Sequence, residues 1–340
     1  MADYRVETRL RDGTYIQTLP YRNLQYEIGR NKPYGCRFDV PLYHDAVTPS
    51  TIIPGLHEIW VWRNGVLVKA GPLWDATPSS SQKSLNCSAM DILDYLDVRL
   101  THAQDFSAID QTAIAWNLID YTQGLTDGGL GIVSGTLGTG ITRSASWKDY
   151  DNKYILEAIT DISEMTSGFD FDITPSTRAF NAYYPRPQTN RDLTLYYPQH
   201  FRHYSIQYWG KYMRNVVQVQ GVEPNLSVAT DTTSKSTYGL REYADSYRDA
   251  QLITDLNNYS SKIRDQRKDV KAYPSISLNQ DFVDVFDSSV IQLGDLLGVV
   301  IQDGYVNIDT TLRYQTAQIT VDKQGSEAIV LYLQDQRELN

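Results

Sequence analysis

The feature that most constrains this fold is a hairpin signal in the first 70 residues. A run of β-branched and aromatic residues, Ile59–Trp62, is followed by Asn64-Gly65 and a second apolar run, Val66–Val68. Asn-Gly readily adopts the positive φ angles of a type I′ turn, whose twist matches that of two antiparallel strands. Asp12-Gly13 separates two alternating runs in the same manner. The two turns predict short antiparallel strands of the kind found in barrels and sandwiches.

Helical periodicity is clearest in the middle of the chain. Apolar residues three and four apart predict helices over 89–100, 108–123 and 151–167, the last with Asp151 as its N-cap. The segment 124–140, between two of them, contains seven glycines. It predicts a long flexible loop, a kind of segment that is often functional or mobile.

Turn residues and polar stretches set the remaining boundaries. Gly71-Pro72 predicts the end of the strand that begins at Val66. The polar stretch Glu223–Thr237 predicts a loop, and a weaker apolar spacing predicts a helix over about Tyr243–Arg267. Beyond Pro274, alternating segments predict that the strands resume.

These patterns predict a mainly β protein with an α+β middle. We expect an antiparallel β-barrel domain at 1–98, an α+β domain at 99–204, and a second antiparallel β-barrel domain at 205–340. The second barrel would carry a helical insertion at about 241–270. At roughly 150 residues per domain, a chain of 340 residues has ample length for such cores.

Composition excludes several classes of protein. The formal net charge of −10 argues against a sequence-reading nucleic-acid binder, which needs a basic footprint. No stretch approaches the ~20 apolar residues of a membrane span, and the charged, alternating N-terminus does not resemble a signal peptide. Two cysteines form neither a disulfide scaffold nor a four-cysteine zinc site. We therefore expect a soluble protein made without export, with no stable membrane insertion.

Motifs for phosphate and metal binding are incomplete. Gly129–Gly135 lacks the spacing of a dinucleotide loop and the lysine of a nucleotide loop. His200 and His203 lie in an extended, proline-broken stretch, where a spacing of three favours opposite faces of a strand. Cys36 and Cys87 have no second ligand near them in the sequence. The sequence therefore predicts no cofactor, no metal site, and free buried thiols.

A hydrolytic site has one weak candidate. Asp170 and Asp172 share one face of a predicted strand, and glycoside hydrolases use paired carboxylates. With 41 acidic residues such pairs arise by chance, so a solvated strand face is the more common explanation. There is no Gly-x-Ser-x-Gly elbow and no cysteine-protease signature. We expect no catalytic residues, and a glycoside hydrolase that uses Asp170 stays as an alternative.

Aromatic residues crowd into one segment of thirty residues. They suit a binding surface, since Tyr offers a large, stiff contact area and a hydroxyl for protein interfaces or sugar stacking. They suit a sheet core equally well, since Tyr has a high strand propensity. The candidate interface residues are Tyr183, Tyr184, Tyr196, Tyr197, Tyr204, Tyr208, Trp209 and Tyr212.

The order of these elements resembles that of a known family. It is similar to minor tail or baseplate hub proteins of long-tailed siphovirus bacteriophages, whose fold is shared with contractile tails and type VI secretion spikes. The segments that carry the resemblance are Glu58–Val68, Gly71-Pro72, Asp91–Leu96, Trp116–Ile119, Asn215–Val217 with Gly221, Gln292–Asp295 and Arg313–Leu333.

The resemblance implies a structural role rather than an enzymatic one. It implies two tail-tube-like barrels per chain and a homotrimer that forms a pseudo-sixfold ring at the tail tip of the virion, assembled in the host cytoplasm. The ring would join the tail tube or distal tail protein, and the tape measure protein, to fibre or tip proteins. A lytic or receptor-binding extension is not expected here, because the sequence stops at Asn340 after the second barrel.

The net negative charge is consistent with a ring through which DNA passes. A lumen lined by Asp and Glu would repel the DNA backbone and let the genome pass during ejection. A carbohydrate-binding receptor-recognition tail protein, which would use the tyrosine-rich segment, stays as the main alternative.

Overall fold

Strands account for most of the regular structure. The computed structural model describes residues 2–165, 167–221, 224–246, 253–279, 282 and 290–335. The first strands are β1 (Tyr4–Arg9), β2 (Tyr15–Leu19), β3 (Arg22–Gly29), β4 (Gly35–Pro41), β5 (Glu58–Arg63), β6 (Val66–Ser79) and β7 (Ser84–Met90). The middle elements are β8 (Gln104–Asp110), α1 (Gln111–Gln123), β9 (Val133–Ser134), β10 (Thr142–Trp147), α2 (Ile155–Glu164), β11 (Asp170–Ile173) and β12 (Ala179–Tyr183).

The part of the chain after β12 is again rich in strands. Its elements are β13 (Asn190–Tyr196), β14 (Phe201–Trp209), β15 (Val216–Gln220), β16 (Leu226–Thr230), α3 (Thr232–Tyr238), β17 (Glu242–Ser246), α4 (Ile253–Arg267), β18 (Lys271–Leu278), β19 (Leu296–Asp303), β20 (Val306–Val321) and β21 (Glu327–Asp335). Short 3-10 helices span Ile92–Val98 and Asp149–Asp151. The prediction of a mainly β fold with large antiparallel sheets is confirmed.

The two predicted hairpins are present. Strands β5 and β6 pair through the turn at Asn64-Gly65, where both residues have positive φ angles of 49° and 77°. Strands β1 and β2 pair across Gly13, whose φ is 86°. The Asn64-Gly65 turn therefore has the positive φ angles of a type I′ turn, whereas β1 and β2 are joined by the longer loop 10–14, in which Gly13 has a positive φ and Asp12 does not.

The predicted strand end at Gly71-Pro72 is wrong. Strand β6 runs through both residues to Ser79, pairing first with β5 and then with β7. A glycine is needed here because β6 passes close to the backbone that follows β7. A Cβ atom on Gly71 would lie 2.4 Å from the carbonyl oxygen of Met90. Gly71 therefore serves as a bend within one strand, a common role of glycine at barrel corners.

One sheet contains strands from both ends of the chain. Its main path runs β14-β18-β21-β20-β3-β4-β7-β6-β5-β1-β2, with β19 beside β20 and β13 beside β19. The joint is the antiparallel pairing of Thr316–Val321 with Leu24–Gly29. The largest core lies on this sheet and draws on both ends, for example Phe38 and Leu331. The domain limits at residues 98 and 204 stay a prediction.

A second hydrophobic core lies in the middle block, the part of the chain from β8 to β12. Helices α1 and α2 and the sheet β11-β12-β9 bury Ile114, Ile159 and Phe171 against one another. The helix predicted over 89–100 is present in shortened form, as a 3-10 helix over Ile92–Val98, because β7 continues to Met90.

Asp151, predicted as the N-cap of the helix over 151–167, does not cap it. Helix α2 starts at Ile155 after Tyr154, and Asp151 instead accepts a hydrogen bond from the Lys148 amide within a 3-10 turn. The left-handed φ of 50° at Asn152 separates that turn from the helix. The helix over 108–123 is present in shortened form as α1, since residues 104–110 form β8.

A third, small core lies in the last third of the chain. Strands β16-β15-β17 form a sheet, and α4 packs on it through Leu256 and Ile263. The predicted loop Glu223–Thr237 is wrong, since it contains β16 and α3. The predicted helix Tyr243–Arg267 is right only over α4, because β17 occupies its start. Residues 166, 223 and 247–252 of these predicted segments lie outside the described residues.

Replacing Gly71 by Ala should destabilise the protein. The added methyl would collide with the backbone of Met90 and Asp91, and overpacking against backbone costs about 2–4 kcal/mol. We expect chemical unfolding of Gly71→Ala to show a free energy of unfolding lower by that amount. Gly129→Ala is the matched control, because a methyl there meets no atom within 4 Å. Equal stabilities for the two variants would contradict this account of β6.

Candidate functional site

The tyrosine-rich segment divides into three environments. Tyr184 packs against the core of the middle block, and Tyr183 is the last residue of β12. The guanidinium of Arg30 lies 3.9 Å from the Tyr183 ring, and the Tyr183 hydroxyl donates to Asp172 at 3.1 Å. Burial, with the nearby Asp172 carboxylate, raises the pKa of Tyr183 to about 12. These contacts assign Tyr183 to the junction between the middle block and the loop after β3.

Tyr197 and Tyr204 belong to the border of the main core. Their rings meet edge to face at 5.0 Å, and both pack against the largest cluster. The Tyr204 hydroxyl donates to the Asp303 carboxylate at 2.7 Å, at the tip of the β19–β20 hairpin. The sheet-packing reading of the tyrosines therefore holds for these two residues.

The remaining aromatic residues are exposed. Tyr196, Tyr208, Trp209 and Tyr212 keep 39–58% of their accessible surface. Strand β14, which carries two of them, pairs with β18 at one end of the main sheet path. Tyr305, at the hairpin tip between β19 and β20, meets Tyr208 edge to face at 6.1 Å and is 88% exposed.

We call Tyr208, Trp209, Tyr212 and Tyr305 the aromatic edge. Trp209 and Tyr212 contact each other, with ring centroids 5.3 Å apart. Sequence reasoning missed Tyr305 because it lies almost one hundred residues beyond Tyr208, and only the β19–β20 hairpin returns it to β14. An interface role for the exposed tyrosines stays a prediction.

Asp170 is buried in an ionic network. Its side chain has no exposed surface and forms an ion pair with Arg313, which is itself 3% exposed. Asn31 donates to Asp170 at 2.9 Å, and Arg186 lies 3.7 Å from the same carboxylate oxygen. Arg30 pairs with Asp172 at 3.2 Å. A carboxylate enclosed in this way has no path to a sugar substrate, so the geometry gives the glycosidase alternative no support.

Similar buried ion pairs join other parts of the chain. Glu58, which is fully buried, accepts two hydrogen bonds of 3.0 Å from Arg178 and one of 3.0 Å from Tyr95. Arg63 makes a bidentate pair with Glu327 at 2.7 and 2.9 Å. Each pair connects segments more than 100 residues apart. Bidentate arginine–carboxylate contacts of this kind fix geometry as well as contribute energy.

The histidine and cysteine candidates have structural surroundings. The ring of His200 stacks 4.3 Å from Phe282, while His203 lies exposed on β14. Cys36 and Cys87 are free and buried on the neighbouring strands β4 and β7. Burial raises the pKa of each thiol to about 12, which makes both unreactive as thiolates at neutral pH. Within the described ranges, no three His, Cys, Asp or Glu residues form a group that could hold a metal ion.

The glycine-rich segment 124–140 is anchored to the middle block. Gln123 bonds both backbone groups of Ile132, and β9 pairs with β12. Asp110, the N-cap of α1, accepts hydrogen bonds from the amides of Thr139 and Gly140 at 2.7 and 2.8 Å. The segment therefore lies over the N-terminus of α1, where its backbone amides hydrogen-bond to the N-cap side chain.

A polar cleft of about 1010 Å³ lies between α2, α4 and the loop after β3. Two of its cations have backbone partners: Arg186 donates to the Ser163 carbonyl, and Lys262 donates to the Glu164 carbonyl at 2.5 Å. Burial, with the nearby Arg186, lowers the pKa of Lys262 to about 8. The contacts of Lys262 connect α4 to the end of α2. None of the described helices is long and apolar enough to cross a membrane.

Comparison with known proteins reveals the fold class. No protein-family model matches the chain, and no curated protein matches it. Among solved structures, it is similar to a tail protein from Neisseria meningitidis MC58, with a TM-score of 0.72, 14% identity, and coverage of 98% of this chain and 97% of that chain. The 43 kDa tail protein of prophage MuSo2 from Shewanella oneidensis gives 0.73 at 11% identity, covering 100% and 99%.

Two further structures extend the comparison. Prophage tail protein gp18 from Listeria monocytogenes EGD-e gives a TM-score of 0.60 at 11% identity, covering 96% of this chain and 94% of that chain. The c3393 protein of E. coli, a type VI secretion component similar to T4 tail proteins gp27 and gp5, gives 0.50 at 12% identity, covering 97% and 78%. The chain therefore has the fold of phage tail proteins and related secretion spike proteins, and the resemblance expected from its sequence is confirmed.

Replacing Asp170 by Asn should reduce stability. The substitution keeps the shape of the side chain but leaves Arg313 buried without its counter-charge, which costs about 3 kcal/mol. Chemical denaturation of Asp170→Asn should show this loss in the free energy of unfolding. Asp105→Asn is the control, since Asp105 and its partner Lys148 are exposed and their pair should contribute nothing measurable. An unchanged midpoint for Asp170→Asn would contradict the buried-pair assignment.

Asp110 should make stability depend on acid pH. Partial burial raises its pKa, but the Thr112 hydroxyl and the Thr139, Thr112 and Gly140 amides outweigh this and lower the pKa to about 2. A depressed pKa gives stability that is present above the ordinary value of 3.8 and lost as pH falls toward 2. The stability difference between wild type and Asp110→Asn should therefore shrink between pH 5 and pH 2.5 in denaturant titrations. A pH-independent difference would contradict this, and exposed Asp120→Asn is the control.

Proposed function

We propose that the protein is a structural component of a phage tail: a distal-tail or baseplate hub that forms a trimeric, pseudo-sixfold ring. The observation that carries the proposal is the fold, which matches tail proteins over 96–100% of the chain. The role in this proposal is non-enzymatic. It agrees with the buried, paired state of Asp170, the carboxylate first considered for catalysis.

The distribution of strands supports the pseudo-sixfold arrangement. The seven strands β1–β7 lie on one side of the β3–β20 pairing, and the six strands β13, β14 and β18–β21 lie on the other. Two strand-rich halves in each chain give six positions when three chains close a ring, and closed cyclic symmetry is the usual form of homo-oligomers. In this proposal the halves are the barrel domains of 1–98 and 205–340, the second joined by β13 and the start of β14, and the rest of the α+β domain of 99–204 would lie outside the ring.

Passage of DNA through such a ring needs a lumen that does not bind phosphate. Residues 91–165 contain 12 acidic and four basic residues, which leaves 29 acidic and 27 basic residues elsewhere. Over the whole block expected outside the ring, 99–204, 12 acidic and eight basic residues give a net charge of −4, so the rest of the chain carries −6. In this proposal the lumen repels the genome through the acids that lie near the axis.

The proposed partners follow from this position. The ring would contact the tail tube or distal tail protein and the tape measure protein on one side. It would contact fibre or tip proteins on the other. The protein would then be a virion component at the tail tip, assembled in the host cytoplasm.

Carbohydrate binding is the second candidate. The observation in its favour is the aromatic edge, whose Tyr208, Trp209 and Tyr212 rings are 39–58% exposed and so available for stacking on sugars. Isothermal titration with cell-wall glycan fragments, using wild type and Trp209→Ala, separates the two functions. A glycan affinity that is lost in the variant would favour receptor recognition.

The purified protein should assemble in threes. Native mass spectrometry should show a species of three 38.7 kDa chains, and negative-stain images should show a ring with a central hole. A reconstruction of the tail should place the ring on the tail axis. A chain that stays monomeric at high concentration and lies off the axis in the particle would contradict the hub proposal.

A further inference from the structure

The aromatic edge has a basic border. Residues 201–214 contain Arg202, Lys211 and Arg214 but no Asp or Glu; the acid beside Tyr305 is Asp303, whose carboxylate accepts from the Tyr204 hydroxyl. Lys211 is exposed between Trp209 and Tyr212, and the exposed Arg241 directs its guanidinium to the Gly210 carbonyl at 3.4 Å. Exposed Tyr and Trp rings with Arg at their margin are the residues most enriched in protein interfaces.

A second exposed apolar surface lies on the middle block and has an acidic border. The apolar residues are Val98, Leu100, Tyr150 and Tyr154, which are 57%, 39%, 79% and 45% exposed, respectively. The acids beside them are Asp97, Asp149 and Asp151, all exposed; the bases in the same stretches are Arg99 and Lys153, both partly buried, and Lys153 is paired with Glu157 and Asp161. We call the four apolar residues and the three exposed acids the acidic face.

Backbone contacts make the acidic face continuous. Leu100 and Tyr154 form an isolated β-bridge, and the Thr101 amide donates to the Lys153 carbonyl at 3.0 Å. The Ala103 amide donates to Asp149 at 3.0 Å, which holds the turn that carries Tyr150 against the same segment. The two stretches, 97–103 and 149–155, therefore present one surface.

We propose that the aromatic edge of one chain packs against the acidic face of a second copy of this chain, in a head-to-tail contact. The proposal rests on the proposed function, since it supplies a contact between neighbouring chains on the outer side of the ring, where the α+β block is expected. Each surface has an apolar centre, and their borders carry opposite charges. Packing would bury Tyr305 and Tyr150, the most exposed rings of the two surfaces, and bring Arg241 and Lys211 near Asp97 and Asp149.

Charge selects a head-to-tail contact over a symmetric one. Two acidic faces placed against each other would bring like charges together, and so would two basic edges. A contact between different surfaces also leaves a free aromatic edge at one end of a dimer and a free acidic face at the other. Such a contact propagates until it closes into a ring, which is the symmetry that a trimer requires.

Two variants that each lose one surface test the contact. The edge variant carries Tyr305→Ser and Arg241→Glu, and the face variant carries Tyr150→Ser and Asp97→Asn, so the two altered surfaces gain no new opposite-charge pair. All four side chains are exposed, so both variants should keep the wild-type melting temperature. Tyr43→Ser is the matched control, because Tyr43 is 77% exposed but belongs to neither surface. Sedimentation velocity and native mass spectrometry measure assembly for each protein.

Mixing the two variants gives the decisive measurement. We expect wild type and Tyr43→Ser to form trimers, and each double variant alone to be monomeric. A 1:1 mixture should form a heterodimer and stop there, because only one pair of intact surfaces remains. Trimers that persist in both variants would overturn this contact while leaving the ring intact. A mixture without a heterodimer would also overturn it, and a monomeric wild type would overturn both the contact and self-assembly of the ring.

Discussion

The pairing of β3 with β20 is the contact on which the rest of the structure depends. It joins residues about 290 positions apart, and closing a loop of that length costs about 5 kcal/mol of chain entropy. Burial offsets the cost: Leu24, Tyr26, Ile319 and Val321 lie in the main core at 0–2% exposure. The Arg63–Glu327 pair, which Tyr4 also contacts, adds a second tie between the same two ends. The strand-rich ends therefore form one body rather than two separate lobes.

Buried ion pairs at the joints explain why this chain contains carboxylates in places that look catalytic. Asp170 and Glu58 each lie where the middle block meets the main sheet, and each has an arginine partner. Removing such charges from water is costly, so a pair of this kind contributes more to orientation than to net stability. An apolar joint could slide between packing arrangements, whereas a bidentate or multiply bonded pair permits one.

The sequence predicts elements whose signals are local and fails where partners lie far away. The hairpin at Asn64-Gly65 is set by its own turn residues, so it was predictable. Strand β16 was not, because its pattern is inverted: Leu226 and Val228 are exposed, while Ser227 is buried and bonds to Asn257 and Ser260 of α4. The same limit applies to the surface. The tyrosine cluster was visible in the sequence, but its division into core and exposed residues depends on the β19–β20 hairpin.

Acidic and basic residues are concentrated in different parts of the molecule. Twelve acids against four bases in residues 91–165 make the middle block strongly negative, while the strands near β14 end in a basic, aromatic border. Buried ion pairs hold the middle block on the main sheet within each chain. In the proposed head-to-tail contact, the relation between one chain and the next is set by that geometry together with the attraction of unlike surfaces. Whether repeated contacts close into a ring or continue as a filament depends on the rotation between copies, and the joints are what hold that rotation constant.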